Sequence, residues 1–225
     1  MYVPIVLDLF DEARQRLLQT TVYVPGSGRR SPLVAFGHGM WGHPRKFTWL
    51  FNRWADAGFV VAAPAFPRTS KEDAQQHLMN DVVNQPADLT FVLDQVVARG
   101  FGDGGQIGIG GFSLGAETAL ATGLHPDYAD ERVRAVVSIA GALFHSDFAA
   151  GALRPLPLLV IHGAEDTKRD RLREALKTYE AAGGPKQLAT IEGAGHGICQ
   201  DDDPRPYVAH VAELTANFWR RYLRE

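Results

Sequence analysis

The stretch that most constrains the fold is Gly111-Phe112-Ser113-Leu114-Gly115. Ahead of it, Gln106-Ile107-Gly108-Ile109-Gly110 reads as a short buried strand. Behind it, the alanine- and leucine-rich run from Leu114 to Leu124 reads as a helix. A serine on a sharp strand-to-helix turn has its Oγ pushed out at the end of a sheet. Glycines two before and two after it leave room for the turn and for close packing beneath. That is the geometry of a nucleophilic serine. A lone hydroxyl is a weak nucleophile, so the chain must also supply a base and a group that orients the base.

The rest of the chain alternates strands and helices. Val3 to Asp8 and Leu18 to Val24 are short β-type runs joined by a charged bend around Asp11-Glu12, which suggests a leading antiparallel pair. Leu33 to Gly37 and Phe59 to Ala63 are continuous apolar runs, as expected of strands covered on both faces. Between them Phe47, Leu50, Phe51, Trp54 and Ala55 fall on one face of a helix that stops at Gly58. Arg68 to Asn84 is polar and weakly periodic, a loop with some helix. Pro86 suits the first turn of the next helix, whose buried stripe is Leu89, Val92, Leu93, Val96 and Val97. Val133 to Ala140, Pro157 to Ile161 and Gln187 to Ile191 are further strands. Leu172, Ala175, Leu176 and Tyr179 mark one more helical face, and Val211, Leu214, Phe218 and Tyr222 another. The expectation is a single α/β domain over residues 1–225, a mostly parallel twisted sheet with helices on both faces.

In open α/β sheets functional groups collect beyond the carboxyl ends of the strands. The strand at Leu158 to Ile161 runs into His162-Gly163-Ala164-Glu165-Asp166. The strand at Leu188 to Ile191 runs into Glu192-Gly193-Ala194-Gly195-His196-Gly197. The chain order Ser113, Asp166, His196 is the order of the nucleophile-elbow hydrolases. In this reading His196 takes the Ser113 proton and later returns one to the leaving group, while Asp166, with Glu165 and Asp170 as its competitors, fixes the imidazole tautomer. An oxyanion needs backbone N–H donors. One is expected from Leu114. The other is expected from Met40 in the loop Gly37-His38-Gly39-Met40-Trp41-Gly42, where His38 braces the loop. Trp41, Phe144, His145 and Ile198 are the candidate substrate-lining residues.

Composition excludes other classes. The chain has 225 residues, with 45% hydrophobic, 22% charged and a formal net charge of −3, so nothing suits it to nucleic acid. One cysteine, Cys199, cannot form an internal disulfide and reads as a packed thiol. Met1 to Leu9 carries no Lys or Arg before its short apolar run, so it does not read as a signal peptide, and no stretch approaches the ~20 apolar residues of a membrane span. A cytoplasmic location is the expectation. Asp201-Asp202-Asp203 reads as a solvated acidic turn rather than a metal site. Neither metal nor cofactor is expected.

These motifs, spread over residues 33 to 197, resemble the α/β-hydrolases, in particular the small dienelactone-hydrolase-like and bacterial serine esterase branch. The resemblance implies hydrolysis of a small-molecule carboxylic ester through an acyl-enzyme, with no cofactor. Thioester, lactone or amide hydrolysis and perhydrolysis use the same machinery, and a non-catalytic binding module is the alternative of a different class. Two features depart from the pattern. Dienelactone hydrolases proper carry cysteine where this chain has Ser113. Many relatives insert a helical lid where this chain has only Gly141 to Leu156, so the site is expected to be shallow and open.

Overall fold

Runs such as Leu33-Val34-Ala35-Phe36 and Val60-Val61-Ala62-Ala63 are too apolar for an exposed strand, and they sit at the centre of the molecule. The fold is seen in a computed structural model, which describes residues 2–28, 30–71, 76–148, 152–167, 169–202 and 205–224. The strands are β1 (Ile5–Asp11), β2 (Arg16–Tyr23), β3 (Pro32–Gly37), β4 (Val60–Pro64), β5 (Asp103–Phe112), β6 (Val133–Ile139), β7 (Leu158–Gly163) and β8 (Lys186–Ile191). The helices are α1 (Thr48–Asp56), α2 (Gln85–Ala98), α3 (Leu114–Leu124), α4 (Arg169–Ala181) and α5 (Arg205–Leu223). The strands form one eight-stranded sheet in the order β1-β2-β4-β3-β5-β6-β7-β8. β1 and β2 pair antiparallel, β2 joins β4 antiparallel, and the remaining pairs are parallel.

Alternate residues of the central strands feed two cores, as the two-residue strand period requires. Val34, Phe36, Val61, Ala63, Val137 and Ile139 face α1 and α5. Leu33, Ala35, Val60, Ala62 and Val136 face the stripe Leu89, Val92, Leu93 and Val96 of α2, together with α3 and α4. Each fully buried large apolar side chain contributes about 1.5–3 kcal/mol. On the α5 side the two largest are Trp54 and Trp219, and Trp219 needs bare backbone in β5: a methyl on Gly108 would lie 2.8 Å from its ring. Trp54 Nε1 donates to Thr215 Oγ1 at 2.7 Å and ties α1 to α5.

The leading hairpin runs three residues further than the sequence pattern suggests. Asp11 is inside β1, not in the bend, and Arg16 opens β2. Both are buried because they are paired. Asp11 binds Arg14, and Arg16 binds Asp81 and Asp88 across 65 and 72 residues. The stretch expected to be loop with some helix contains a 3-10 segment at Gln76–Asn84. The register sets Gly37 beside Gly111, Phe112 beside Ile139, and Gly163 beside Ile191. The loops after β3, β5, β6, β7 and β8 therefore leave the sheet along one edge.

Candidate active site

Ser113 sits between β5 and α3 at φ 55° and ψ −116°, a backbone conformation that costs a non-glycine residue about 1–3 kcal/mol. It is held there from both sides. Its N–H donates to Ile139 O at 2.9 Å, and its carbonyl accepts from Ala116 and Glu117. The flanking glycines permit the contact beneath. A methyl on Gly115 would come within 2.1 Å of Gly37 O, and one on Gly111 within 2.0 Å of Gly115 O. No side chain fits between the first turn of α3 and strands β3 and β5, which is why both positions are glycine.

The loops after β7 and β8 bring the other two expected residues to this turn. His196 Nε2 lies 3.0 Å from Ser113 Oγ, and His196 Nδ1 lies 2.7 Å from Asp166 Oδ2. A carboxylate accepts, so His196 Nδ1–H donates to Asp166 and leaves the Nε2 lone pair facing the Ser113 hydroxyl. Ser113 and Asp166 are buried, and the imidazole is half-buried against the Phe112 ring, 5.1 Å between centroids.

The loop after β3 is built by His38. Phe66 N–H donates to His38 Nε2 at 2.9 Å, so the ring proton is on Nδ1 and is given to Gly39 O at 2.8 Å. Gly42 N–H donates to the same carbonyl at 2.8 Å. In a trans peptide the N–H points opposite to the C=O. With the Gly39 carbonyl fixed toward His38 and Gly42, the Met40 N–H points the other way. Gly39 itself abuts the serine: a methyl on it would lie 3.1 Å from Ser113 Cβ. Among the described residues, the N–H groups of Met40 and Leu114 have no hydrogen-bond partner. The expectation that His38 braces this loop therefore has a definite geometry.

The four expected lining residues divide. Trp41, at φ 53°, is 51% exposed, and its N–H donates to Thr69 O at 2.8 Å. Phe144 is exposed and His145 half-buried on the loop after β6, next to Leu143, which packs with Met40 and Leu114. Ile198 is a correction. It is fully buried in the α1–α5 core, because the turn after His196 carries it inward, and it offers no surface to a ligand. Glu117 was not anticipated. Its Oε1 accepts the N–H groups of Phe144 and His145 at 2.5 Å each, tying their loop to α3. The one charged residue in the run Leu114 to Leu124 is the available signal.

Cys199 is buried, as expected of a packed thiol. Asp201 is more than a solvated acid: its Oδ1 accepts the Trp49 N–H in the first turn of α1. Asp203 lies outside the described residues. Among the described residues, no group of three or more His, Cys, Asp or Glu could hold a metal ion, and no helix is long and apolar enough to cross a membrane. The connection after β6 holds one short 3-10 turn, Ser146–Phe148, among its described residues, and no large lid domain is evident.

The dienelactone hydrolase family matches residues 18–224. The chain belongs to this family. No match is found among curated proteins. Among solved structures, the native esterase 2 of Thermogutta terrifontis is 19% identical with a TM-score of 0.74, over 97% of this chain and 92% of that one. The dienelactone hydrolase of Anabaena variabilis is 21% identical with a TM-score of 0.73, over 98% and 99%. The Pyrococcus horikoshii acylaminoacyl peptidase is 17% identical with a TM-score of 0.74, over the whole of this chain and 42% of that one. At these identities the likeness establishes the α/β-hydrolase fold. Within the dienelactone hydrolase family, this member has serine at the elbow.

Proposed function

We propose that the protein is a serine hydrolase that cleaves small-molecule carboxylic esters through an acyl-enzyme. The observation that carries this is the continuous hydrogen-bond chain from Asp166 through His196 to Ser113, with the serine on a strained turn at the carboxyl edge of the sheet. Membership of the dienelactone hydrolase family supports the same reading, as do structural neighbours that include an esterase described as phosphorylated by paraoxon.

The reaction follows from the tautomer. His196 Nε2 accepts the Ser113 proton as Oγ attacks the ester carbonyl. Asp166 stays ionised and stabilises the imidazolium. The carbonyl oxygen becomes an oxyanion in reach of the Leu114 and Met40 N–H groups, two donors with no competing partner among the described residues. Removing one side-chain oxyanion donor costs about 3–4 kcal/mol in another hydrolase. The imidazolium returns its proton to the departing alkoxide, which leaves as the alcohol. Water, deprotonated by the same imidazole, then releases the acid and regenerates Ser113. Trp41, Phe144 and His145 flank the site as the surfaces available to acyl and alcohol groups. No step calls for a cofactor.

The test is hydrolysis of p-nitrophenyl acetate by the wild-type protein and by Ser113→Ala. The substitution should abolish turnover, and activity retained by a folded variant would sink the assignment. The rate should also fall on acidification as His196 takes up a proton and ceases to act as base.

A further inference from the structure

The two candidate oxyanion donors lie on separate elements, and one buried amide joins those elements. Leu114 is the first residue of α3. Met40 is on the loop after β3, and that loop leans on the segment Thr69 to Lys71. Trp41 N–H donates to Thr69 O at 2.8 Å, Lys71 N–H donates to Gly42 O at 2.9 Å, and Gly42 forms a parallel bridge with Ser70. The Thr69 segment is in turn tied to α3 through the Gln85 side chain, at the start of α2. Gln85 Nε2 donates to Thr69 Oγ1 at 2.9 Å, and Gln85 Oε1 accepts from Thr118 Oγ1 at 2.5 Å. Thr118 is one turn along α3 from Leu114, and its hydroxyl also lies 3.3 Å from Leu114 O. All three side chains are buried: Gln85, Thr69 and Thr118 are each 0% exposed.

We propose that Gln85 is a positioning residue for the oxyanion hole, holding the Thr69 segment, and with it the Met40 loop, in register with the first turn of α3. The inference rests on the hydrolase reading above. A glutamine suits the task because its amide presents a donor and an acceptor at opposite corners of one rigid plane, so it bridges two hydroxyls at a fixed separation. Gln85 is itself anchored from the far side. Asp81 and Asp88, which bracket the α2 start, grip Arg16 of β2 at 2.7 and 2.6 Å. Burial raises Asp88, against the hydrogen bonds and charges of Arg16 and Arg14. Gln85 touches neither the reacting serine nor the ester. Its effect is on where Met40 N–H stands relative to Leu114 N–H.

Gln85→Met keeps length and apolar volume but removes both hydrogen bonds. A displacement of about 1 Å can cost about 100-fold, so kcat on p-nitrophenyl acetate should fall about 10- to 100-fold. KM should move less than about threefold, because ground-state binding does not use the oxyanion donors. Affinity for a trifluoromethyl ketone, which adds to the serine as a tetrahedral hemiketal, should weaken in parallel with kcat. Thr69→Val cuts the same bridge at its other end, and the double variant should lose no more than the worse single one, since the bridge acts as one unit. Thr215→Val, which breaks the distant bond to Trp54, supplies a destabilised control with kcat intact. A Gln85→Met protein with wild-type kcat overturns the proposal while leaving the hydrolase reading standing. So do losses in the Gln85→Met and Thr69→Val proteins that simply add, or a lowered kcat with unchanged ketone affinity. A wild-type protein with no ester turnover and no ketone binding overturns both.

Discussion

Replacing His38 by Phe isolates the argument about the Met40 N–H. An aromatic ring is kept beside Phe66, which lies 5.2 Å away between centroids, although phenyl is somewhat larger than imidazole. What goes is chemical. Phe66 N–H loses its acceptor at Nε2, and Gly39 O loses the Nδ1 donor, leaving only Gly42 N–H on that carbonyl. The orphaned Phe66 N–H is at a residue with 0% exposure, so its desolvation is uncompensated at about 1–3 kcal/mol, and the lost bond to Gly39 adds about 1 kcal/mol. The total of about 2–4 kcal/mol corresponds to a Tm lower by roughly 4–16 °C for a chain of this size. The effect on turnover should be distinct from the loss of stability. With one of its two restraints gone, the Gly39–Met40 peptide is held by the Gly42 bond alone, and each rotation that turns Met40 N–H away removes one of the two proposed oxyanion donors. Full loss would cost about 10²–10³ in kcat, so a fall of at least tenfold is expected. The assay is kcat on p-nitrophenyl acetate at a temperature well below the variant's own Tm, alongside thermal unfolding. A destabilised His38→Phe protein that keeps kcat within about threefold would refute the reasoning, because the Met40 N–H would then not depend on the bond that aims it.

Two further perturbations address the rest of the site and the fold. Glu117→Gln retains an oxygen for the Phe144 and His145 N–H groups but removes its charge, which should cost about 1–2 kcal/mol and loosen that loop. In a series of p-nitrophenyl esters, kcat/KM should fall for longer acyl chains more than for acetate, and an equal fall throughout would detach the loop from acyl recognition. Asp130 is pushed up by burial, but hydrogen bonds from the Arg132 side chain and N–H, with its charge, outweigh this and hold it below the ordinary aspartate value. The folded state therefore binds fewer protons there than the unfolded one. The resulting stability is complete above the ordinary value and lost as pH falls through the lower, folded one. Asp130→Asn should flatten the acid limb of stability below about pH 4, as followed by urea unfolding across pH, and an unchanged limb would contradict it.

Much of this architecture is legible in the residues, for physical reasons. Apolar runs of five or six residues, such as Leu33 to Gly37, have no stable place except a strand covered on both faces. The residues of the Ser113 turn are explained by sterics that the flanking glycines announce. The meeting of Asp166 and His196 at the Ser113 turn is legible because each lies on a loop that leaves the carboxyl end of a strand. What escaped depends on partners distant in sequence. Asp11 reads as part of a bend, and Arg16 falls between the expected strands, because isolated charges belong in water. Their burial becomes reasonable only with Arg14, Asp81 and Asp88 in view. Gln85 beside Pro86 carries no local sign that it bridges Thr69 and Thr118. Ile198 was misplaced because closeness in sequence to His196 says nothing about which way the following turn faces.

The central claim is that Ser113 carries the acyl group during turnover. The most direct measurement is mass spectrometry of protein quenched in acid while it hydrolyses p-nitrophenyl propionate. Peptide mapping should find a propionyl adduct on Ser113, absent from Ser113→Ala. Steady turnover with no adduct on Ser113, or with the adduct on another residue, would contradict the account.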